Sequence, residues 1–328
     1  MTFIKASDET IPQNGPHWGQ PNYWYWKGIR CHWRVLGIHN HKPLLLIHGF
    51  GASSSHWRQN AGPLAEAGFR VYGLDLIGFG DSGQPSPKKV PKLDNQFWAQ
   101  QVAAFLEQIV ETHKYGKAVL IGNSLGSLTA LTTLFFRSEL VSAVVASPLP
   151  DPAFMQQDIF STPIWFQKFS KRLIKIFFHL LPLEIFVPLI SHTMLIKIAL
   201  QGAYHRSIRF DIDLQQIVAK PAKRITASRA LRSMCIGMSS RSKETTAPFL
   251  LEKLSLRNNL SSILLIWGKQ DKLVPLNLGK KLVKKYPCLN LFVLDKTGHC
   301  PHDESPIQFN QIVLKWLETN LRGDQQQI

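Results

Sequence analysis

The segment KAVLIGNSLGSLTAL, residues 117–131, limits the possible folds of this chain more than any other. An aliphatic run enters a Gly-x-Ser-x-Gly turn centred on Ser124, and a helical pattern rich in Leu and Ala follows. We therefore expect a strand, a sharp turn and a helix, because the small flanking residues let the backbone hold Ser124 in a strained, exposed conformation. A plain turn is the alternative, since the short pattern also arises by chance.

Apolar runs elsewhere in the chain predict further buried strands. The runs lie at 43–48, 70–74, 141–146, 263–267 and 291–294. Helical patterns lie between and after them, at 57–67, 95–113, 277–285 and 305–321. This alternation predicts the α/β class, with a mostly parallel central sheet and helices on both faces.

Two other regions depart from this alternation. Between residues 18 and 33 aromatic side chains crowd together, which predicts two short strands joined at Gly28. Core and edge packing or a lipid-facing surface would explain these aromatic residues.

Between residues 148 and 255 helical patterns occur without strands, which predicts an inserted helical cap. The predicted parts are thus 1–147 and 256–328 for the core and 148–255 for the cap.

Two glycine-rich loops follow predicted strands. In the first, Gly49 and Gly51 have no side chains, so a ligand can approach the backbone closely. The N–H of Phe50 can then serve as an oxyanion donor opposite that of Leu125. We interpret His48 as a residue that stabilises this loop. The second loop, GFGDSG at 78–83, matches Gly-x-Gly-x-x-Gly, but prolines follow it and no helix begins there. We therefore expect a connecting loop and no dinucleotide site.

Two further residues complete a candidate catalytic set. Asp271 and His299 each follow a predicted strand, in the chain order nucleophile, acid, histidine. Because the carboxyl ends of parallel strands meet at one edge of a sheet, Ser124, Asp271 and His299 can converge there. Asp151 also lies at a strand end and is the reserve candidate for the acid.

No feature of the sequence calls for a metal or an organic cofactor. The cysteines are scattered along the chain and form no Cys-x-x-Cys pair, so their spacing does not match a metal site. We expect reduced thiols, with a disulfide as the alternative. The residues are Cys31, Cys235, Cys288 and Cys300. The amino terminus lacks a continuous apolar core, so no secretory signal is expected. The most apolar region, at 173–190, is interrupted by polar residues and predicts no transmembrane helix.

The charge of the chain bears on its partners. The formal net charge is +16, and residues 151–250 hold 14 Lys and Arg against 6 Asp and Glu, a net +8. Between residues 166 and 180 an apolar stripe opposes Lys and Arg. This helix either packs on the core with a solvated basic face or contacts an anionic membrane. No motif typical of nucleic-acid binding occurs, so nucleic acid is not an expected partner.

The chain resembles the α/β-hydrolase superfamily from about Tyr25 to Leu321. The matching segments are HGFG at 48, DxxGFGDS from 75, GNSLG at 122, GxxDxxVP from 268 and GHCPHDESP at 298. Within that superfamily, YWYWKGIRCHW and GASSSHWRQN are similar to plastid and cyanobacterial serine hydrolases that include pheophytinase and chlorophyll dephytylase. This resemblance implies an α/β-hydrolase fold. Together with the reduced cysteines, it predicts a cytoplasmic or plastid stromal location, and the basic helix leaves peripheral attachment to a membrane open as an alternative.

The resemblance also implies a chemistry. Ser124 would attack the carbonyl of a hydrophobic carboxylic ester, such as a phytyl ester in chlorophyll metabolism, with His299 as base and Asp271 as its partner. The N–H groups of Phe50 and Leu125 would hold the oxyanion. Related enzymes that act on epoxides or haloalkanes carry Asp in place of Ser124, which disfavours those reactions. A ligand-binding receptor on the same scaffold and an acyltransferase are the alternatives, and the sequence does not indicate the oligomeric state.

Overall fold

An eight-stranded sheet lies at the centre of the protein in the computed structural model, which describes residues 12–90, 92–154, 181–185, 187, 195–257 and 262–321. Its strands are β1 (Gln20–Trp26), β2 (Ile29–Leu36), β3 (Lys42–Ile47), β4 (Phe69–Leu74), β5 (Ala118–Asn123), β6 (Val141–Ser147), β7 (Ile263–Gly268) and β8 (Asn290–Leu294). They are ordered β1-β2-β4-β3-β5-β6-β7-β8. Strand β2 pairs antiparallel with β1 and β4, and the other pairs are parallel. The predicted α/β class is confirmed.

Helices connect the strands. They are α1 (Ala61–Glu66), α2 (Asn95–Phe105), α3 (Thr112–Tyr115), α4 (Leu125–Phe136), α5 (Leu195–Ala203), α6 (Ile212–Ala222), α7 (Ala227–Ser240), α8 (Ala247–Ser255), α9 (Leu276–Lys285), α10 (Pro301–Glu304) and α11 (Pro306–Leu321). The single helix predicted at 95–113 is broken, because α2 passes into a π-helical turn and Glu111 takes a left-handed conformation with φ of 55°. Helix α2 begins where the Asp94 side chain accepts a hydrogen bond from the Phe97 N–H.

Apolar side chains from both faces of the sheet form the core. Along β3, Leu45 and Ile47 belong to the cluster on one face, whereas Leu44 and Leu46 belong to the cluster on the other. Helices α2, α4 and α8 contribute to the first cluster, and α1 and α11 to the second. A parallel strand buried on both faces reads as a continuous apolar run, which explains why these strands could be predicted from the sequence.

The aromatic segment near the amino terminus forms the β1–β2 hairpin. Lys27 and Gly28 take φ values of 50° and 67°, as the two central residues of a type I′ turn require. Trp24, Trp26 and Trp33 are buried in the core. The packing interpretation is therefore confirmed for the tryptophans, whereas Tyr23 and Tyr25 are exposed on the outer face of β1.

The chain between β6 and β7, here called the insertion, carries α5 to α8 in its described part. The amphipathic helix predicted at 166–180 lies outside the described residues. Polar contacts tie the insertion to the core: Gln84 binds the Pro221 carbonyl and the Thr226 hydroxyl, and Arg224 donates to the Gly80 and Ser82 carbonyls. The division into core and cap stays a prediction. Within the described ranges, no helix combines the length and apolarity needed to cross a membrane.

Candidate active site

Ser124 lies between β5 and α4 in a conformation that non-glycine residues rarely adopt, with φ of 53° and ψ of −115°. The turn is tight enough to require glycine on both sides. A Cβ atom on Gly122 would lie 2.4 Å from backbone atoms of Gly126 and Ser127, and one on Gly126 would lie 2.1 Å from the Ile47 carbonyl oxygen. The sequence pattern therefore produces a strained backbone at Ser124.

His299 and Asp271 contact each other directly. The Nδ1 atom of His299 is 2.9 Å from Oδ2 of Asp271, and both side chains are buried. The other carboxylate oxygen, Oδ1, accepts hydrogen bonds from the N–H groups of Leu273 and Val274, each at 2.9 Å. Because a carboxylate oxygen is a hydrogen-bond acceptor, His299 donates from Nδ1, and Nε2 is the ring nitrogen that does not contact Asp271.

Asn123 joins the serine turn to the histidine loop. Its side-chain amide donates to the carbonyl oxygens of Ser147, at 2.6 Å, and His299, at 3.1 Å. The N–H of Ser124 donates to the same Ser147 carbonyl at 3.1 Å. The ends of β5 and β6 and the histidine loop are thus held as one unit.

The two predicted oxyanion donors lie beside this turn. Leu125 is the first residue of α4, so its N–H is among those that have no partner within the helix. Phe50 lies in a turn closed by a hydrogen bond from the Ala52 N–H to the Gly49 carbonyl at 3.3 Å. A Cβ on Gly49 would lie 2.6 Å from Oδ1 of Asn123, so this loop packs directly against the serine turn.

His48 stabilises the loop, as the sequence predicts. It is fully buried, its Nδ1 atom is 2.7 Å from the Gly49 carbonyl oxygen, and its Nε2 atom accepts from the Leu76 N–H at 3.0 Å. Burial lowers the pKa of His48, which keeps the imidazole neutral and able to accept.

Asp75 organises the second glycine-rich loop. Its carboxylate accepts hydrogen bonds from the N–H groups of Ser54 and Asp81 and lies 2.8 Å from Nδ1 of His32. Burial disfavours its charge, but the hydrogen bonds and the charge of His32 outweigh this effect and hold the pKa of Asp75 well below its usual range. A Cβ on Gly80 would lie 2.2 Å from this carboxylate. The glycines therefore serve this turn, as a connecting loop requires.

Asp151, the reserve candidate for the acid, has other partners. Its carboxylate pairs with Arg241 and accepts hydrogen bonds from the N–H groups of Ala153, at 2.8 Å, and Ala247, at 2.7 Å. These contacts connect the end of β6 to α8. Asp271 is the carboxylate that contacts His299.

Ser124, His299 and Phe50 line one cavity of about 590 Å³. The insertion supplies much of its wall through small and apolar side chains, among them Ala199, Leu200, Val218, Ala230, Leu231 and Met234. This wall can hold a hydrophobic group over the serine.

Sequence reasoning missed a group of buried polar residues behind the histidine loop. Arg58 pairs with Asp303 of α10 and with Asp211 of the insertion, at 2.9 and 2.6 Å. The Tyr204 hydroxyl lies 2.7 Å from Nε2 of His56 and donates to Asp303 at 3.1 Å. Two adjacent acidic residues so close to His299 in GHCPHDESP were the available signal.

Among the described residues, no cluster of three or more His, Cys, Asp or Glu side chains could hold a metal ion, and all four cysteines are free.

The comparisons with known proteins agree with this architecture. The family model of the alpha/beta hydrolase fold matches residues 42–306. The chain therefore belongs to the α/β-hydrolase fold family.

Individual relatives are distant. Bifunctional epoxide hydrolase 2 of Mus musculus is 25% identical over 317 residues, covering 90% of this chain and 55% of the mouse protein, so the chain spans about half of that relative. A pimeloyl-acyl-carrier-protein methyl ester esterase of Vibrio cholerae is 28% identical over 285 residues, covering 83% of this chain and 92% of the esterase. A thermophilic esterase from Thermogutta terrifontis has a TM-score of 0.65 at 18% identity, covering 92% of this chain and 99% of that one; this likeness shows the fold alone.

Proposed function

We propose that this protein is a serine hydrolase that cleaves carboxylic esters of hydrophobic substrates. One observation carries the proposal: the strained Ser124 and the Asp271-bound His299 line the same apolar cavity. Hydrolase and esterase relatives support the reaction class.

The proposed reaction begins when Nε2 of His299 takes the hydroxyl proton of Ser124 as its oxygen attacks the ester carbonyl. Asp271 holds the imidazole in the required tautomer and stabilises the imidazolium. The N–H groups of Phe50 and Leu125 stabilise the tetrahedral oxyanion, each worth about 2.7–4 kcal/mol of transition-state stabilisation. The histidine then protonates the leaving alcohol, and water, activated by the same histidine, releases the acid from Ser124.

The cavity supports a long apolar group on the acyl or alcohol side. Its volume of about 590 Å³ suits a lipid-like ester, and a phytyl ester is one member of that class. We propose that the insertion acts as the cap over this group, since α5, α6 and α7 line the cavity.

The test is hydrolysis of p-nitrophenyl esters of increasing chain length by wild type, Ser124→Ala and Ala230→Phe. Turnover should rise with chain length in wild type and vanish in Ser124→Ala. Ala230 is buried on the cavity wall, so Ala230→Phe should reduce kcat/KM for long chains by about 10- to 200-fold while sparing the acetate. Full activity in Ser124→Ala would contradict the proposal.

Three other functions are candidates: epoxide hydrolysis, acyl transfer and ligand binding by a receptor. The name of the mouse relative favours epoxide hydrolysis, but Ser124 stands where α/β-hydrolases acting on epoxides carry Asp. Turnover of a styrene oxide probe that survives Ser124→Ala would support it. Acyl transfer would appear as a new ester when an alcohol is added, and a receptor would show one slow turnover with retained product.

We also propose contact between the insertion and an anionic membrane. Its described part exposes large apolar side chains, Ile198, Phe210 and Ile225, together with Lys197, Lys220 and Lys223. Co-sedimentation with phosphatidylserine vesicles should occur at low salt and weaken at high salt. Ile225→Asp should reduce it, whereas Ile307→Asp, at another exposed isoleucine in α11, should not. Binding to neutral vesicles alone would contradict this proposal.

A further inference from the structure

The carboxylate of Glu304, at the end of α10, joins two separate segments of the chain. Its Oε1 atom accepts a hydrogen bond from the Gly298 N–H at 2.7 Å, beside His299. Its Oε2 atom accepts from the N–H groups of His205, at 2.7 Å, and Arg206, at 3.1 Å. One side chain thus holds the histidine loop and the insertion together.

The same two segments also touch through their backbones. The N–H of His299 donates to the Ala203 carbonyl oxygen at 2.7 Å. A Cβ on Gly298 would lie 2.8 Å from that oxygen and 2.8 Å from Oε1 of Glu304, so the contact leaves no space between the segments. The backbone of the histidine is therefore hydrogen-bonded to the insertion, outside the core that carries Ser124.

Tyr204 adds a second connection within this contact. It is buried, donates its hydroxyl hydrogen to Asp303 at 3.1 Å and lies 2.7 Å from Nε2 of His56. Asp303 also pairs with Arg206 at 3.1 Å. Asp303, the residue before Glu304, thus also holds Tyr204 and Arg206 in place.

We propose that Glu304 is a positioning residue that fixes the His299 loop against residues 203–206, so that the imidazole faces Ser124 only while this segment is docked. Glu304 touches no reacting atom. It acts through its hydrogen bonds to the backbone of the histidine loop and to the backbone of residues 205–206. A carboxylate offers acceptor oxygens in both directions, whereas an amide turns one side into a donor that faces another N–H. The inference rests on the proposed function, because it assigns His299 the role of base.

The test compares Glu304→Gln with Glu252→Gln, an exposed glutamate of α8. For p-nitrophenyl decanoate, Glu304→Gln should lower kcat by roughly tenfold or more, up to about 100-fold, since a displacement of about 1 Å of a catalytic group has this effect. KM should change little, because Glu304 does not line the cavity. The rate constant for fluorophosphonate labelling should fall by the same factor, and Glu252→Gln should match wild type.

Tyr204→Phe changes the same contact from the side of the insertion. If Glu304→Gln does not fold, this variant alone tests whether the contact positions His299. It should slow labelling of the folded protein, and the double variant should lose less than the product of the two single losses. Variants that unfold more easily but label at the wild-type rate would overturn the inference. If Ser124→Ala retains activity, the proposed function fails instead.

Discussion

The sheet core and residues 203–226 of the insertion are held in place by different kinds of contact. In the core, continuous apolar strands pack on both faces, and glycines bring backbones into direct contact around Ser124. The described part of the insertion meets the core in two ways. Helix α8 packs apolar side chains into the first core cluster, and residues 203–226 add charges and hydrogen bonds, of which the pairs Arg58–Asp211 and Arg206–Asp303 are examples.

The two kinds of contact suit two different roles. Apolar burial is non-directional, so it stabilises the core without setting atomic positions, whereas charge-assisted hydrogen bonds have strict geometry. Apolar residues of α5, α6 and α7 line the cavity. We infer that the core supplies the reaction and that the insertion shapes the space for the substrate.

Asp271→Asn should cause the largest loss of activity, and it tests whether the core supplies the reaction. The amide disfavours the required tautomer of His299, so kcat for a p-nitrophenyl ester should fall by about 10⁴-fold with little loss of stability. Asp151→Asn is the matched control, because that buried carboxylate contacts Arg241 and the N–H of Ala247. Equal losses of kcat in the two variants would contradict the assignment of Asp271.

Arg58→Ala should break the polar attachment. It leaves the carboxylates of Asp211 and Asp303 without this buried guanidinium, and it should lower the free energy of unfolding by about 3–5 kcal/mol in urea titrations. Arg137→Ala is the control, since Arg137 also contacts two carboxylates but at the surface, and it should cost about 1 kcal/mol or less. Similar costs would show that the attachment does not depend on the buried charges.

Acid should also destabilise the region around Arg58. Burial lowers the pKa of His56 to about 4 and the pKa of His302 well below its usual range. The unfolded chain, with histidine pKa values near 6.5, binds more protons, so the free energy of unfolding should decrease as pH falls from about 6.5 towards 4. His56 alone accounts for about 3 kcal/mol.

Unfolding titrations across this pH range check the expectation. His56→Gln should flatten the pH dependence of stability, because its own proton uptake is removed. The exposed His113→Gln is the control and should leave the slope unchanged. A slope that persists in His56→Gln at its full value would contradict the role given to burial.

The sequence predicts the fold where one local pattern decides the outcome. The strands of the parallel sheet read as apolar runs, and the glycines beside Ser124 follow from the strained turn that the structure contains. The break of the helix after Phe105 was not predictable, since no glycine or proline precedes the left-handed Glu111.

The site was predictable only in part for a similar reason. Ser124, Asp271 and His299 follow strands, so the topology of the sheet brings them to one edge. The contacts of Glu304 and Tyr204 join residues about a hundred positions apart in the chain. No local pattern encodes such contacts, and they depend on how the insertion packs on the core.

The most direct measurement is labelling of the wild-type protein with a fluorophosphonate probe beside Ser124→Ala. The probe bonds covalently to an activated serine, so wild type should label rapidly and the variant should not label at all, with both proteins equally folded by circular dichroism. Equal labelling of the two, or no labelling of folded wild type, would contradict the central claim that Ser124 is the nucleophile of a serine hydrolase.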